Sequence, residues 1–197
     1  MVPERTKQKL VKCLQGLFWI YISRIFVINT MDDFQAIDSD VECELVPITA
    51  SNYYRVEDFR GKYRIQEYKR KIMNDEIGFF AEHHSQMLGS IWSTMNTTSA
   101  PHVVRGFIRL LPGEALIHDI VTGDKYRGMG IGPFMVSRLL PILLESNVVK
   151  RVIIDVNVKN NSSLHMMNKI GLKVVNTTLS ISAFGDLVFH RVIRSGR

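Results

Sequence analysis

The alternation of hydrophobic and polar positions along the chain predicts a succession of short strands and helices. Apolar residues at every second position, or in short runs bounded by turn residues, are typical of strands, whereas apolar residues three or four apart are typical of helices. The pattern predicts strands over residues 44–48, 77–82, 87–94, 103–110, 114–122, 151–156, 172–181 and 187–193. It predicts helices over residues 52–74, 133–146 and 160–170.

The order of these elements indicates the fold class. Residues 77–82 and 87–94, joined by a polar tetrapeptide, form a predicted antiparallel hairpin, and Gly61 weakens the first helix enough to split it in two. The segment 151–156 is almost continuously apolar, as expected of a central strand that is buried on both faces. Antiparallel strands followed by strand, helix, strand, helix and strand predict a mixed α/β fold.

The first 42 residues differ in character from the rest. Residues 4–12 are rich in basic side chains and residues 14–28 are strongly apolar, but Arg24 interrupts the apolar run before it reaches the ~20 residues that a bilayer span needs. One interpretation is a helix that packs on the domain and leads into an edge strand over 25–28. The other is a basic amphipathic helix over 4–28 that lies peripherally on an anionic membrane. With the acidic residues 30–42 as a linker, we expect an extension over 1–42 and a domain over 43–197.

Composition and charge narrow the class of protein. With 197 residues, 46% of them hydrophobic and 22% charged, the chain can bury a sizeable core. Its two cysteines cannot build a disulfide framework and no His or Cys cluster indicates a metal site, so we expect a reducing, cytoplasmic setting and no metal. The net charge of +6 suits an anionic partner, but no basic recognition helix or aromatic-rich basic strand points to nucleic acid.

A glycine-rich loop lies between a predicted buried strand and a predicted helix. Its sequence is Arg127-Gly128-Met129-Gly130-Ile131-Gly132. Such a loop exposes successive backbone N–H groups at the positive end of a helix, and this arrangement binds phosphate groups. The loop is not a nucleotide P-loop, because no Lys-Ser/Thr pair follows its last glycine, and its glycine spacing differs from the dinucleotide-binding fingerprint.

The residues around this loop resemble the GCN5-related N-acetyltransferase (GNAT) superfamily. The pyrophosphate signature of that superfamily, Arg/Gln-x-x-Gly-x-Gly/Ala, is matched by Arg127, Gly130 and Gly132. A second signature, Asn-x-x-Ala/Ser-Ile/Leu and then Tyr-x-Lys-x-Gly-Phe, is matched in part by Asn160, Ser163, Leu164, Lys169, Gly171 and Leu172. The resemblance covers about residues 76–193. It implies one domain with a central mixed, mostly antiparallel sheet, flanking helices and one splayed pair of parallel strands.

The resemblance also implies a site for acetyl-CoA or another acyl-CoA. The donor would lie where strands 114–122 and 151–156 splay apart, with its pantetheine arm along the first strand and its pyrophosphate on the glycine loop. Asn160 would contact the pantetheine or sulfur end, and Arg127 has the alternative of pairing with a carboxylate. The implied binding residues are Ile120, Val121, Thr122, Arg127, Gly128, Met129, Gly130, Ile131, Gly132, Asn160 and Ser163.

The chain departs from the family pattern at two positions. Pro133 follows the last glycine and removes one amide donor, although proline is well accommodated in the first turn of a helix. Met167 stands where many members carry the tyrosine that protonates the leaving thiolate, and methionine has no proton to donate. Another acid, a water molecule or direct loss of the thiolate would have to replace it, and His165 is a weak candidate.

Two residues on strand 114–122 are candidates for the general base. An amine must be neutral to attack a thioester, so we expect a carboxylate or imidazole near the cleft. Asp119 and then His118 are the candidates, and strand alternation places their side chains on opposite faces. Structural roles, as a buried turn-capping Asp or a hydrogen-bonded His in the sheet, are equally open.

These inferences favour an acyltransferase. The expected reaction transfers acetyl from acetyl-CoA to a primary amine, by direct attack in a ternary complex. The acceptor is left open among a small molecule, an amino sugar and a protein N-terminus. The alternative is a catalytically silent module that binds acyl-CoA for regulation. The resemblance also leaves a dimer open, because the last strands make dimer contacts in relatives.

Overall fold

A computed structural model describes residues 18–104, 108–183 and 186–195 of the chain. Its strands are β1 (Phe18–Ile28), β2 (Glu44–Pro47), β3 (Ile77–His83), β4 (Gln86–Met95), β5 (His102–Val104), β6 (Ile108–Leu110), β7 (Glu114–Thr122), β8 (Arg151–Asn157), β9 (Val174–Ala183) and β10 (Asp186–Ser195). Its α-helices are α1 (Ile65–Met73), α2 (Ile131–Leu144) and α3 (Asn161–Lys169).

Eight of the strands form one sheet in the order β10-β9-β1-β8-β7-β4-β3-β2. The β7–β8 pair is parallel, and the other neighbours are antiparallel, so the predicted mixed, mostly antiparallel sheet is confirmed. The single strand expected over residues 103–110 is wrong, because β5 and β6 are two short strands of a separate hairpin. The split at Gly61 is confirmed: 3₁₀ turns at Tyr53–Asp58 and Lys62–Arg64 precede α1.

The helices cover opposite faces of the sheet. Helices α2 and α3 contribute Ile131, Met135 and Met167 to the main core, together with Phe79 and Ile91 from the sheet. Side chains alternate along a strand, so the neighbouring residues of β3 and β4 face the other way. They pack in a second cluster with α1 and its preceding turns; the buried aromatic residues of that cluster are Tyr68, Phe80 and Trp92.

Strand β1 lies in the interior of the sheet, between β8 and β9. The expectation of a helix across this region is therefore wrong for Phe18–Ile28, and so is the expectation of an edge strand over 25–28. The physical reason is visible in β1 itself: Phe26 and Ile28 enter the main core, whereas Ile25 faces a third cluster on the opposite side. The β-branched and aromatic residues of this segment also favour a strand.

The remainder of the predicted membrane-surface helix, residues 4–17, lies outside the described residues. Among the helices that the structure describes, none has the length and apolarity to span a membrane.

Residues 30–42, expected to be a linker, pack along α2 and the loop before it. Phe34, Ile37 and Val41 rest on the main core, and the amide of Asp40 donates to the carbonyl of Met129 at 3.0 Å. Composition assigned residues 18–42 to an extension, yet they contribute a central strand and a packed segment to the sheet domain.

We expect Phe26→Ala to lower the free energy of unfolding by about 3–5 kcal/mol, because Phe26 is 1% exposed in the main core. Ile20→Ala, on the same strand, is the matched control: Ile20 is 68% exposed, and its loss should cost less than ~1 kcal/mol. Urea unfolding of the two variants measures both values. Equal effects would contradict the central position of β1.

Candidate functional site

The parallel strands β7 and β8 stop pairing about halfway along their length. They pair over four residues, from Glu114–Arg151 to Ile117–Ile154. Both strands continue beyond that point, but β8 then pairs with β1 alone and β7 with β4 alone. Between their carboxyl ends lies the gap that the resemblance predicted for a splayed strand pair.

A cavity of about 640 Å³ lies at this gap. It is bounded by the end of β7, the glycine-rich loop, the first turn of α2 and the first turns of α3. Ten of the eleven residues expected to bind the donor line it, and Met129 does not. Lining residues that the sequence did not assign to the binding site are Tyr126, Pro133, Ser162, His165, Met166 and Lys169.

The glycines of the loop allow a sharp turn directly before α2. Gly128 and Gly130 have φ values of +85° and +71°, which other residues rarely adopt. A Cβ at Gly130 would lie 3.3 Å from the Cα of Ser39, and one at Gly132 would lie 2.9 Å from the sulfur of Met166. The turn therefore brings the amides at the start of a 14-residue helix to the cavity. Such amides, at the positive end of a helix, bind anions.

Arg127 reaches the cavity from the beginning of this loop. Its guanidinium also forms an ion pair with Asp124 at 2.7 Å, and both side chains are largely exposed. The alternative of pairing with a carboxylate is thus realised in this structure. Exposed ion pairs contribute little free energy, so a phosphate group can compete for the guanidinium.

The start of α3 forms the opposite wall of the cavity. Asn160 caps this helix, because its side-chain oxygen accepts a hydrogen bond from the amide of Ser163 at 3.1 Å. His165 and Met166 line the cavity, whereas Met167 is fully buried in the main core. The position at which other members have a tyrosine therefore faces the core in this chain.

Neither His118 nor Asp119 lines this cavity. Ser90 pairs with Val121 and Trp92 with His118, so two residues of β7 oppose one residue of β4, and Asp119 has a φ of +46°. This is a β-bulge, which interrupts the alternation of side chains. The expectation that the two side chains point to opposite faces is wrong, since both contact groups on the α1 side of the sheet.

Asp119 is held between two cations. Arg60 Nη1 donates to both carboxylate oxygens at 3.1 Å, and the ammonium of Lys71 in α1 also contacts this carboxylate. Burial by itself raises the pKa of Asp119, but Lys71 and Arg60 together outweigh it and hold that pKa below its ordinary value. Asp119 is thus a stable carboxylate, and this makes it a weak proton acceptor.

His118 is buried beside a carboxylate and a hydroxyl. Its Nε2 lies 2.8 Å from Thr94 Oγ1 and 3.3 Å from Glu76 Oε2. Imidazole and carboxylate groups are the usual general bases, so this contact has the chemistry to accept a proton. His118 comes two residues before Ile120, where β7 begins to line the cavity.

The splayed strand pair lies at the centre of the mixed sheet, and the N-terminus of α2 lines the cavity beside it. Residues 44–172 match the family model described as the acetyltransferase (GNAT) family. The chain therefore belongs to this family, whose members transfer acyl groups. No curated protein matches the chain.

Solved structures share the fold at low sequence identity. A GNAT-family acetyltransferase from Colwellia psychrerythraea has a TM-score of 0.57 at 12% identity, with 92% of this chain and 62% of that one covered. A GCN5-related N-acetyltransferase from Kribbella flavida has a TM-score of 0.55 at 8% identity, with 88% and 63% covered. AAC(6')-Iy, in complex with the bisubstrate analogue CoA-S-monomethyl-acetylneamine, has a TM-score of 0.51 at 10% identity, with 67% and 91% covered. The chain spans about three fifths of the length of the first two.

We expect Asp119→Asn to lower the free energy of unfolding at pH 7 by about 3–5 kcal/mol, because it leaves the buried Lys71 and the half-buried Arg60 without a carboxylate. The folded-state pKa of Asp119 is depressed, so its ionisation stabilises the fold above about pH 4. This contribution is lost as the pH falls through the folded-state pKa, and the difference between parent and variant should shrink there. Urea unfolding at pH 7 and at low pH measures it.

The matched control is Asp38→Asn, which removes the ion pair of an 87% exposed carboxylate with Arg138. Its effect should stay below ~1 kcal/mol at both pH values. A difference between parent and Asp119→Asn that does not change with pH would contradict the assignment.

Proposed function

We propose that this protein transfers an acetyl group from acetyl-CoA to a primary amine, with both substrates bound at once. The observation that carries this proposal is the cavity between the parted end of β7 and the glycine-rich loop. It combines unpaired strand backbone with a helix N-terminus, the two kinds of group that a pantetheine arm and a pyrophosphate require. Family membership supports acyl transfer in general.

The binding roles follow from the two walls. The amides of Gly130, Ile131 and Gly132 and the guanidinium of Arg127 would hold the pyrophosphate. The expected amide of Met129 instead donates to the carbonyl of Tyr126, and Pro133 contributes no donor. Pairing of β7 with β8 ends at Ile117, so the backbone of Ile120–Thr122 would pair with the amides of the pantetheine arm as an added strand does. Asn160 and Ser163, at the start of α3, would contact the pantetheine or sulfur end of the donor.

The reaction needs one proton acceptor. A neutral amine attacks the thioester carbonyl, a C–N bond forms and the C–S bond breaks. The amine loses one proton, and the CoA thiolate leaves and can take up a proton. Of the two candidate bases, His118 is favoured by its contact with Glu76, whereas Asp119 is already neutralised by Arg60 and Lys71. His118 faces the α1 side, so we infer that the amine approaches from that side.

No tyrosine is needed to release the thiolate. Thiols have a pKa near ~8.5, so the thiolate is a fair leaving group without a strong acid. Met167 is buried away from the cavity and takes no part in this step. His165 lines the cavity and is the side chain of α3 that we assign to return a proton to the sulfur.

Asp119 and Met167 favour a second function, which is acyl-CoA binding without turnover. The ion-paired Asp119 cannot act readily as a base, and Met167 offers no acid. In such a regulatory module, the cavity would bind acetyl-CoA and no amine would release CoA from it.

The two functions are distinguished by measuring acetyl-CoA binding by calorimetry and thiol release with a panel of small amines, amino sugars and peptide N-termini. We expect binding and release, and we expect Arg127→Ala to raise the KM for acetyl-CoA about tenfold, since one charged hydrogen bond is worth roughly 1.5–3 kcal/mol. Arg191→Ala, which removes an exposed arginine of β10 outside the cavity lining, should leave the KM unchanged. Binding without release would favour the regulatory module, and failure to bind acetyl-CoA would contradict both functions.

The assignment of the base predicts a pH effect. We expect His118→Gln to lower kcat/KM about 10²-fold or more and to abolish the acidic limb of its pH profile, because that limb reports the protonation of the base. His190→Gln, which removes a histidine bonded to Ser180 far along the sheet, is the control and should keep the parent profile. An acidic limb that persists in His118→Gln would exclude His118.

A further inference from the structure

The bulge at Asp119 is the last point of β7 before it lines the cavity. Pairing with β8 ends at Ile117, the bulge occupies Asp119 and Ile120, and Ile120 to Thr122 form the cavity wall. Beyond the bulge, β7 remains attached to β4 through the pairs Ser90–Val121 and Gly89–Thr122. The backbone of Asp119 therefore sets the direction in which this wall runs.

The conformation of Asp119 is unfavourable for most residues. Its φ of +46° lies in the left-handed region, which costs an L-residue free energy even though aspartate tolerates it better than most. Such a conformation persists where surrounding contacts hold it. Asp119 is held by strand pairing on either side of the bulge and by the ion pairs of its own side chain.

The contacts come from the layer on the α1 side. Arg60 and Lys71 both bind the carboxylate, and Lys71 is itself buried, with its ammonium 4.8 Å from the centre of the Trp92 ring. Tyr68, one turn before Lys71 in α1, shares a hydrogen bond of 2.5 Å with Ser90 on β4. The two cations thus act from a packed layer that is fixed to the strand next to β7.

Buried ion pairs are weak contributors to stability compared with apolar packing, because both charges must leave water. A cluster of one anion and two cations at the bulge therefore contributes less to the stability of the fold than apolar side chains of similar size would. The two cations contact one carboxylate from two directions, and they thereby fix one backbone conformation. Apolar side chains cannot do this.

Resting on the proposed function, we infer that Lys71 and Arg60 are positioning residues, which hold the left-handed backbone of Asp119 and thereby set the cavity wall of Ile120–Thr122 for the acyl-CoA arm. In this role Asp119 is an anchor of the strand and takes no proton from the substrate. Neither cation touches the cavity, so each acts through Asp119.

The sharpest experiment compares two double variants, Lys71→Met/Asp119→Gly and Lys71→Met/Asp119→Ala. Both remove the same two charges, and Arg60 loses the same partner in each. They differ in one property: glycine adopts a φ of +46° freely, whereas alanine does not. Two measurements are made on folded protein, the dissociation constant of acetyl-CoA by calorimetry and the hydrogen exchange of the Ile120–Thr122 amides without ligand.

We expect the alanine variant to bind acetyl-CoA about five- to tenfold more weakly than the glycine variant. We also expect faster exchange of the three amides in the alanine variant, since the wall loses its fixed conformation. Lys71→Met alone should also raise the dissociation constant of acetyl-CoA relative to the parent protein. This single variant tests the inference if the alanine variant does not fold. Arg55→Met, which removes an ion pair with Asp58 on the same face without touching β7, should bind as the parent does.

Equal dissociation constants for the two double variants would overturn the inference, even if their melting temperatures differ. Faster exchange in the alanine variant with unchanged affinity for acetyl-CoA would overturn it as well. The contacts of Lys71 and Arg60 with Asp119 would then stabilise the strand without affecting ligand binding. The exchange measurement needs no ligand. If the parent protein does not bind acetyl-CoA, the proposed function and the role of Ile120–Thr122 in binding are both contradicted. The exchange difference between the two double variants then reports by itself whether the conformation of Asp119 holds these three amides.

Discussion

A parallel strand pair that stops pairing leaves backbone N–H and C=O groups without partners in the sheet, and the rest of this structure is arranged around that fact. Buried backbone groups must be hydrogen-bonded or stay open to solvent or ligand. Here β7 and β8 part after Ile117 and Ile154, and the end of β7 beyond that point, Ile120–Thr122, lines the cavity. Strand β1 pairs with the opposite edge of β8 from Val152 to Asn157, so β8 stays in the sheet beyond Ile154. The freed end of β7 keeps only β4 and is available to a ligand.

The loop after β7 brings positive charge to this cavity. Gly128 and Gly130 turn the chain so that α2 begins at the cavity, and the N-terminus of that helix carries partial positive charge. The segment over residues 34–41 packs behind the loop, with the amide of Asp40 on the carbonyl of Met129, so the turn is supported from outside as well as by its own glycines. Arg127 and Lys169 bring the only full positive charges among the cavity-lining side chains that the structure describes, apart from the titratable His165. Much of the net charge of +6 lies elsewhere and has no role in this site.

The local chemistry could be predicted from the sequence because it depends on short-range signals. The glycine loop, the capping Asn160 and the strand before them are contiguous motifs, and the structure brings them together at one cavity. Only the end of β1, residues 25–28, was predicted as a strand, because an apolar run beside basic residues matches an amphipathic helix as well as a strand. The signal that separates them is the enrichment of aromatic and β-branched residues in Trp19–Ile22. The bulge at Asp119 could not be predicted at all. It depends on the register of β4 against β7 and on cations from α1 and the turn before it, 48 and 59 residues away in sequence.

That bulge changes the chemistry that the sequence indicates for β7. Regular alternation would give one titratable side chain to the cofactor side and the other to the α1 side, and either could then be a base. The left-handed Asp119 instead turns its carboxylate to the same side as His118, where Arg60 and Lys71 neutralise it. The α2 and α3 side of the sheet is left with amides, glycines and exposed cations that suit an anionic donor. The α1 side holds the imidazole of His118 and the carboxylate of Glu76. In the reaction that we propose, this single backbone conformation would separate donor binding from proton transfer, and the two would meet at the gap between β7 and β8.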